Sequence, residues 1–162
     1  MELENFELKI LLLAAIKSEI ESKEVYETLA SRVKNALFKD RLLFLANEEE
    51  KHHAFLESLY RQKFAGEEIK LPEKSPVPLP VVDTSEDRLL SEIIEDAMKA
   101  ELAAKEFYEG MKKMFSDERT KNMLQLFADM ERAHYEILLQ ELENLKRFED
   151  YDDYWPMMHM GP

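Results

Sequence analysis

Two Glu-x-x-His pairs in this sequence have the residue types and the spacing of a metal-binding motif. They are Glu49 with His52 and Glu131 with His134. On an α-helix, residues three apart lie on one face, one turn apart, so each pair presents a carboxylate and an imidazole together. The second pair follows the first by 82 residues (49 to 131 and 52 to 134), which indicates that the two pairs belong to a repeat.

The repeat extends beyond these two pairs. Segment 17–27 is similar in sequence to segment 99–109, again with a shift of 82 residues. Such a repeat predicts a duplicated helical hairpin whose two halves are related by a pseudo-twofold axis. The aligned polar and aromatic residues are Glu19 with Glu101 and Tyr26 with Tyr108.

Four Glu and two His in this arrangement predict a carboxylate-bridged two-metal site inside a four-helix bundle. A buried ionised carboxylate is costly by several kcal/mol or more, and no inward Lys or Arg accompanies these four. Two divalent cations would cancel the four negative charges. Oxygen-rich ligation with one imidazole per metal suits iron or manganese better than structural zinc. The predicted metal ligands are Glu19, Glu49, His52, Glu101, Glu131 and His134.

Each ligand has a hypothetical role. Glu19 and His52 serve one metal, Glu101 and His134 serve the other, and Glu49 and Glu131 bridge both.

The sequence predicts no catalytic residue beyond the ligands themselves. Tyr26 and Tyr108 each follow a ligand Glu by seven residues, on the same helix face, and can hydrogen-bond the ligand carboxylates. The alternative is that both are plain core tyrosines.

A third Glu-x-x-His pair, Glu50 with His53, overlaps the first. The residues 82 positions later are Arg132 and Tyr135, so this pair is not repeated and is predicted to lie in solvent or, at most, to contact the ligand residues without binding the metal. His159, in a Met-rich segment, is interpreted as a packing or surface residue.

Four long stretches carry apolar residues at helical spacing, with few Gly or Pro. The predicted helices cover about 6–34, 36–64, 84–115 and 117–148. Asn35 is the expected N-cap of the second helix, Thr84 or Ser85 of the third, and Ser116 or Asp117 of the fourth.

The connection after Gly66 contains four prolines, at positions 72, 76, 78 and 80, which favour an extended path. About 18 extended residues can cover the roughly 42 Å of a 28-residue helix. The segment can therefore cross from one end of the bundle to the other, and Val77, Leu79, Val81 and Val82 indicate that it packs on the helices. The alternative is a flexible linker between two separate hairpins.

The 162 residues suffice for one domain, predicted as 1–148. An aromatic and Met-rich tail, 149–162, follows it and is predicted to dock on its own bundle or on a second subunit.

Lys and Arg number 22 against 35 Asp and Glu, a formal charge of −13, which argues against nucleic acid and anionic membranes as partners. No apolar run approaches the roughly 20 residues that span a bilayer, and no signal-peptide pattern is found, so a cytoplasmic location is expected.

In these motifs the chain resembles the rubrerythrin-like branch of the ferritin-like superfamily. The resemblance rests on Glu19 with Tyr26, on Glu101 with Tyr108 and on the two repeated Glu-x-x-His pairs, and it covers about residues 6–148. It implies an all-α, ferritin-like four-helix bundle of two duplicated antiparallel hairpins joined by a long crossover loop. It also implies a non-haem di-iron centre, with two iron ions per chain, that reacts with peroxide or dioxygen.

Two positions depart from the rubrerythrin pattern. Typical rubrerythrins carry a rubredoxin domain with four Cys, and this sequence has no Cys, so electrons are expected from a separate donor such as rubredoxin. Rubrerythrins also carry a Glu three residues after the ligand of the third helix, where this chain has Ala104. The predicted centre is therefore symmetric, like that of ferritin-type ferroxidases.

The resemblance predicts an oxidoreductase that reduces hydrogen peroxide or dioxygen and forms a homodimer or a higher homo-oligomer. Three alternatives remain open. The centre could oxidise Fe(II) as a substrate in iron handling, it could act on an organic substrate through an apolar channel, or the chain could be a non-enzymatic metal-binding helical module.

Overall fold

Four α-helices account for most of the chain. The computed structural model describes the backbone of residues 3–154 and the side chains of residues 3–147. A short 3-10 helix, Leu3–Asn5, precedes the four α-helices, and residues 3–154 contain no strand. The helices are α1 (Leu8–Arg32), α2 (Ala36–Lys63), α3 (Leu90–Lys112) and α4 (Glu118–Tyr154).

The helices pair as two antiparallel hairpins. Contacts between α1 and α2 and between α3 and α4 dominate the tertiary structure, whereas α1 with α3 and α2 with α4 touch far less. The predicted four-helix bundle of two hairpins is confirmed. Among the described residues, no helix is both long enough and apolar enough to cross a membrane.

The apolar core falls into two clusters, one toward each end of the bundle. One cluster joins the first half of α1 to the second half of α3 and includes Leu12, Leu56 and Phe107. The other joins the second half of α1 to the first half of α3 and includes Leu29, Leu42 and Ile94. Helices α1 and α3 are therefore antiparallel, which requires the chain to return along the whole bundle between α2 and α3.

The connection between α2 and α3, residues 64–89, makes this return. Val77 is fully buried in the first core cluster, where Leu79 also packs, and Val82 packs against the second cluster. Val81, in contrast, is mostly exposed. The crossover is thus anchored to both ends of the bundle, and the alternative of a flexible linker is wrong.

The third helix begins at Leu90 and not at Thr84 or Ser85. The carboxylate of Asp83 accepts a hydrogen bond from the backbone N–H of Ser85 (3.0 Å), and the Arg88 guanidinium donates back to the carbonyl of Asp83 (2.9 Å). These bonds form a local turn over residues that would otherwise begin the helix. The capping position is Leu89, whose backbone N–H donates to the Glu92 carboxylate (3.3 Å).

The other predicted caps are present. The Asn35 side chain accepts a hydrogen bond from the backbone N–H of Phe38 (3.0 Å), and Asp117 accepts one from Thr120 (2.8 Å). Helix α4 continues to Tyr154, past the predicted end near Phe148. The predicted docking of the tail, including His159, falls on side chains that lie outside the described residues.

Replacing Asn35 by Ala should destabilise the metal-free protein by about 1 kcal/mol, because the first turn of α2 loses its side-chain acceptor. The expected fall in melting temperature is roughly 2–4 °C for a chain of this size. Asn35→Ser, which keeps an acceptor, is the matched control and should melt close to the wild type. Equal melting temperatures for the Ala variant and the wild type would show that the cap contributes nothing.

Candidate metal centre

A layer of polar side chains separates the two apolar clusters at the middle of the bundle. All six predicted ligands lie in this layer, and none is more than 3% exposed. Helices α1 and α3 each contribute one carboxylate, whereas α2 and α4 each contribute a carboxylate and an imidazole. The structure thus brings together Glu19, Glu49, His52, Glu101, Glu131 and His134.

The imidazole of His52 faces three carboxylates through its Nδ1 atom. Nδ1 lies 3.4 Å from Oε2 of Glu19, 3.2 Å from Oε2 of Glu49 and 3.0 Å from Oε1 of Glu131. These carboxylates come from α1, α2 and α4, so this group of four ligand atoms forms only when the two hairpins are assembled.

His134 has the symmetry-related surroundings. Its Nδ1 lies 3.2 Å from Oε1 of Glu49, 3.6 Å from Oε2 of Glu101 and 3.2 Å from Oε2 of Glu131. The two imidazole rings are stacked, with centroids 5.9 Å apart. The pseudo-twofold relation expected from the sequence repeat is therefore visible in the centre itself.

Glu49 and Glu131 belong to both groups, and each divides its two oxygens between them. Glu49 directs Oε2 toward His52 and Oε1 toward His134. Glu131 directs Oε1 toward His52 and Oε2 toward His134. This is the arrangement that a bridging carboxylate requires, while Glu19 and Glu101 each face one imidazole only.

The donor atoms have the spacing and the unmet bonding capacity of a metal site. Within each group the ligand atoms all lie within 4.8 Å of one another, which fits bond lengths of about 2.0–2.2 Å to a central ion. Both Nδ1 atoms, both oxygens of Glu49 and Oε1 of Glu131 are buried without a hydrogen-bond partner. Such atoms are rare in folded proteins, so this cluster is compatible with a metal site.

Glu19 and Glu101, each facing one imidazole only, are called the terminal carboxylates here. Without a cation, their surroundings favour the protonated form. Burial raises the pKa of Glu19 well above its usual range, and the neighbouring carboxylates of Glu49 and Glu131 raise it further. Burial likewise raises the pKa of Glu101, with a further contribution from Glu131. Among the described residues, no Lys or Arg pairs with the four carboxylates to offset this cost.

For the two histidines, burial and the neighbouring carboxylates shift the pKa in opposite directions. Burial alone lowers the pKa of His52, but the facing carboxylates, led by Glu131 and Glu19, outweigh it and raise the pKa to about 12. The pKa of His134 is raised in the same way, chiefly by Glu101 and Glu131. Burial opposes ionisation of Glu131, yet its two imidazole neighbours lower its pKa. The metal-free cluster therefore holds protons where metal ions would supply positive charge.

Two buried tyrosines hold the terminal carboxylates. The Tyr26 hydroxyl donates to Oε1 of Glu101, and the Tyr108 hydroxyl donates to Oε1 of Glu19. Each bond joins α1 to α3, so each tyrosine serves the Glu of the other hairpin. Both tyrosines therefore make the predicted hydrogen bonds to carboxylates of the cluster. Burial and the nearby Glu19 raise the pKa of Tyr108 well above its usual range, which keeps its hydroxyl a donor.

Phe127 was not singled out from the sequence as a residue of the centre. Its ring packs against His52, with centroids 4.2 Å apart, and also contacts Phe55 and Tyr108 at 5.1 Å and 5.6 Å. It therefore restricts the orientation of the imidazole. The sequence feature that could have identified Phe127 is its position four residues before Glu131, on the same helix face.

The overlapping pair Glu50 and His53 lies outside the cluster, as predicted. Glu50 is exposed and accepts a hydrogen bond from Lys23 (2.8 Å), and His53 lies 3.2 Å from Glu57 on its own helix. Ala104 packs against the first apolar cluster.

Comparisons with known proteins agree with this geometry. The Rubrerythrin family model matches residues 11–142. A hypothetical protein from Pyrococcus furiosus has a similar solved structure, with 39% sequence identity, a TM-score of 0.80, and coverage of 91% of this chain and 95% of that one. The search of curated proteins gave no match.

The family match spans all six clustered residues, and the structural likeness extends over nearly the whole bundle. The predicted ferritin-like fold is confirmed. Membership suggests a di-iron carboxylate protein. This chain belongs to the rubrerythrin family.

Proposed function

We propose that this protein is a di-iron oxidoreductase that reduces hydrogen peroxide or dioxygen with electrons from a separate donor. The observation that carries the proposal is the division of Glu49 and Glu131 between two imidazoles, one oxygen to each. Two ions held by these residues would share both carboxylates and would act together on one small molecule.

The ligand roles follow from the contacts. Glu19 and His52 would hold one ion, Glu101 and His134 would hold the other, and Glu49 and Glu131 would serve both, a division that the two groups of facing donor atoms support. A donor set of carboxylate oxygens with one imidazole per ion suits iron, with manganese as the alternative, because oxygen and imidazole ligands match these metals better than the thiolates of structural zinc sites.

Two iron(II) ions bound here would supply the electron pair that, with two protons, converts one hydrogen peroxide into two waters. The protein itself would position the ligand side chains and exclude water from the polar layer. The apolar clusters on either side keep the polar layer dry, which strengthens its electrostatic interactions. The two tyrosine hydroxyls hold the terminal carboxylates in place, and Phe127 holds the His52 ring.

The electron donor and the oligomeric state are part of the same proposal. The sequence contains no Cys, so a rubredoxin-type donor would be a separate protein or domain. A homodimer or a higher homo-oligomer is proposed with it.

The test starts with metal content per chain after anaerobic purification. Peroxide or air is then added to the reduced protein while the visible and near-ultraviolet spectrum is recorded. About two irons per chain, oxidised much faster by peroxide than by air, would support peroxidase chemistry. Iron that oxidises and then leaves the protein would favour iron handling instead. Bound metal that neither changes redox state nor reacts would make this a non-enzymatic metal-binding module.

Replacing Tyr26 or Tyr108 by Phe should weaken metal binding about 10–100-fold, the usual cost of losing a hydrogen bond that orients a ligand. Each substitution removes one hydroxyl that bonds Glu101 or Glu19 and leaves the ring in place. Tyr135→Phe, on the partly buried flank of α4, is the matched control. Competition titration with a metal chelator measures the affinities. Equal affinity in all three variants would assign the tyrosines to packing alone.

A further inference from the structure

The two hairpins meet loosely along the line between α1 and α3, and the crossover segment runs over this line. A cavity of about 270 Å³ lies there, beneath residues 80–84. The wall on α3 is formed by the small side chains of Ala97 and Ala100, the wall on α1 combines small residues with larger ones such as Glu21, and the crossover forms the roof. Its lining includes Ser18, Ser22 and Tyr26 of α1, Ala97 and Ala100 of α3, and Thr84 of the crossover. We call it the seam cavity.

The seam cavity reaches close to the proposed metal centre. Ser18 and Ala100 each directly precede a terminal carboxylate, Glu19 or Glu101, in the chain. The inner wall includes Tyr26, whose side chain is 1% exposed and whose hydroxyl donates to Glu101. One side chain therefore separates the cavity from the centre.

The cavity also has a continuation toward the surface. A second groove, of about 450 Å³, follows the crossover along α1 and shares Ser18, Glu21, Pro80 and Val81 with the seam cavity. Val81 is 77% exposed, so this shared boundary opens to solvent. The shared polar groups are a hydroxyl and a carboxylate, which suit a small hydrophilic molecule better than an organic substrate.

Among the described residues, several other sides of the centre are covered by packed side chains. The two apolar clusters close it above and below, and Phe127 covers His52. Thr28, which lines the cavity, corresponds in the repeat to Gly110. There Leu3 packs so tightly that a Cβ at Gly110 would come within 2.8 Å of its Cδ1. The corner of the second hairpin that corresponds to Thr28 is therefore filled by Leu3.

We propose that small polar molecules the size of hydrogen peroxide reach the carboxylate–histidine cluster through the seam cavity and pass beside Tyr26. The route depends on the proposed function only for the identity of that molecule. Ser22 lines this route between Glu19 and Tyr26, since it lies three residues after the first and four before the second, on the same helix face.

The test uses cobalt(II)-loaded protein and azide, a small ligand whose binding changes the visible spectrum of cobalt without redox chemistry. Ser22→Leu places an apolar side chain in the cavity. Ser31→Leu, the same change on the exposed surface of α1, is the matched control. Azide association should slow about tenfold or more in Ser22→Leu, which corresponds to about 1.4 kcal/mol of added barrier, and stay at the wild-type rate in Ser31→Leu.

An unchanged association rate in a Ser22→Leu protein that retains its cobalt would overturn the route. If that variant does not hold cobalt, Thr84→Phe fills the cavity from the crossover without altering a helix, and its association rate decides in the same way. Oxidation of the iron-loaded wild type by peroxide and by air is measured separately. Slowed azide entry in Ser22→Leu, together with an iron-loaded wild type that reacts with neither oxidant, would support the route and reject the proposed oxidoreductase.

Discussion

Replacing Glu49 by Ala should abolish binding of at least one of the two metal ions. Glu49 is the one residue of α2 that faces both imidazoles, with one oxygen 3.2 Å from each Nδ1. Its loss removes a ligand from both ions at once and leaves each with two carboxylates and one imidazole at most. Metal per chain, measured by elemental analysis after anaerobic reconstitution with Fe(II), should fall from about two to one or less.

The neighbouring residue is the matched control for this prediction. Glu50→Ala makes the same substitution one position along α2, in an exposed side chain that pairs with Lys23. It should keep about two irons per chain, like the wild type. Full occupancy in Glu49→Ala would show that this carboxylate does not bridge.

Metal binding should release protons, and metal affinity should rise steeply with pH. The facing carboxylates favour the charged form of His52 and His134, and burial favours the neutral form of Glu19 and Glu101, so the metal-free cluster holds protons that offset its negative charge. Ligands bind metal only when deprotonated, so two divalent ions must displace these protons. Lower pH favours the protonated, metal-free state, and higher pH favours the metal-bound state.

The expected change is about tenfold in affinity per pH unit for each proton displaced. Titration with Mn(II) in a weakly buffered solution containing a pH indicator counts the protons, and calorimetry in two buffers of different ionisation enthalpy checks the count. Mn(II) is chosen because it binds without oxidation under anaerobic conditions. Affinity that does not vary between pH 6 and 8, with no proton release, is the result that would contradict a metal-free cluster holding these protons.

The cost of burying charge is the physical reason to expect cations at this cluster. Four carboxylates lie between two apolar clusters, and the imidazoles are the cationic partners that the described residues provide. Breaking such a network by removing one partner leaves uncompensated buried charge. Cations bound by these residues would offset the same cost.

Much of the fold and of the centre follows from the sequence alone. Helix periodicity identified all four helices, and the caps Asn35 and Asp117 occur where their side chains can accept backbone hydrogen bonds. The repeat selected His52 over His53 because only the former recurs after 82 residues. These inferences succeed because helix periodicity, capping and ligand spacing are properties of neighbouring residues.

Other features depend on contacts between distant segments. The start of α3 at Leu90 is decided by the turn that Asp83 and Arg88 form. The bond from Tyr26 to Glu101 crosses between hairpins, since the packing of α1 against α3 sets which carboxylate a tyrosine reaches. The seam cavity exists because the crossover lies over small side chains of two helices.

The sequence thus determined which residues form the centre, because the spacing of ligands along a helix is local. The tertiary structure alone decided which oxygen faces which imidazole, which tyrosine holds which carboxylate and where the seam cavity lies. Those relations join atoms far apart in the chain, and their distances are set only when both hairpins and the crossover pack together.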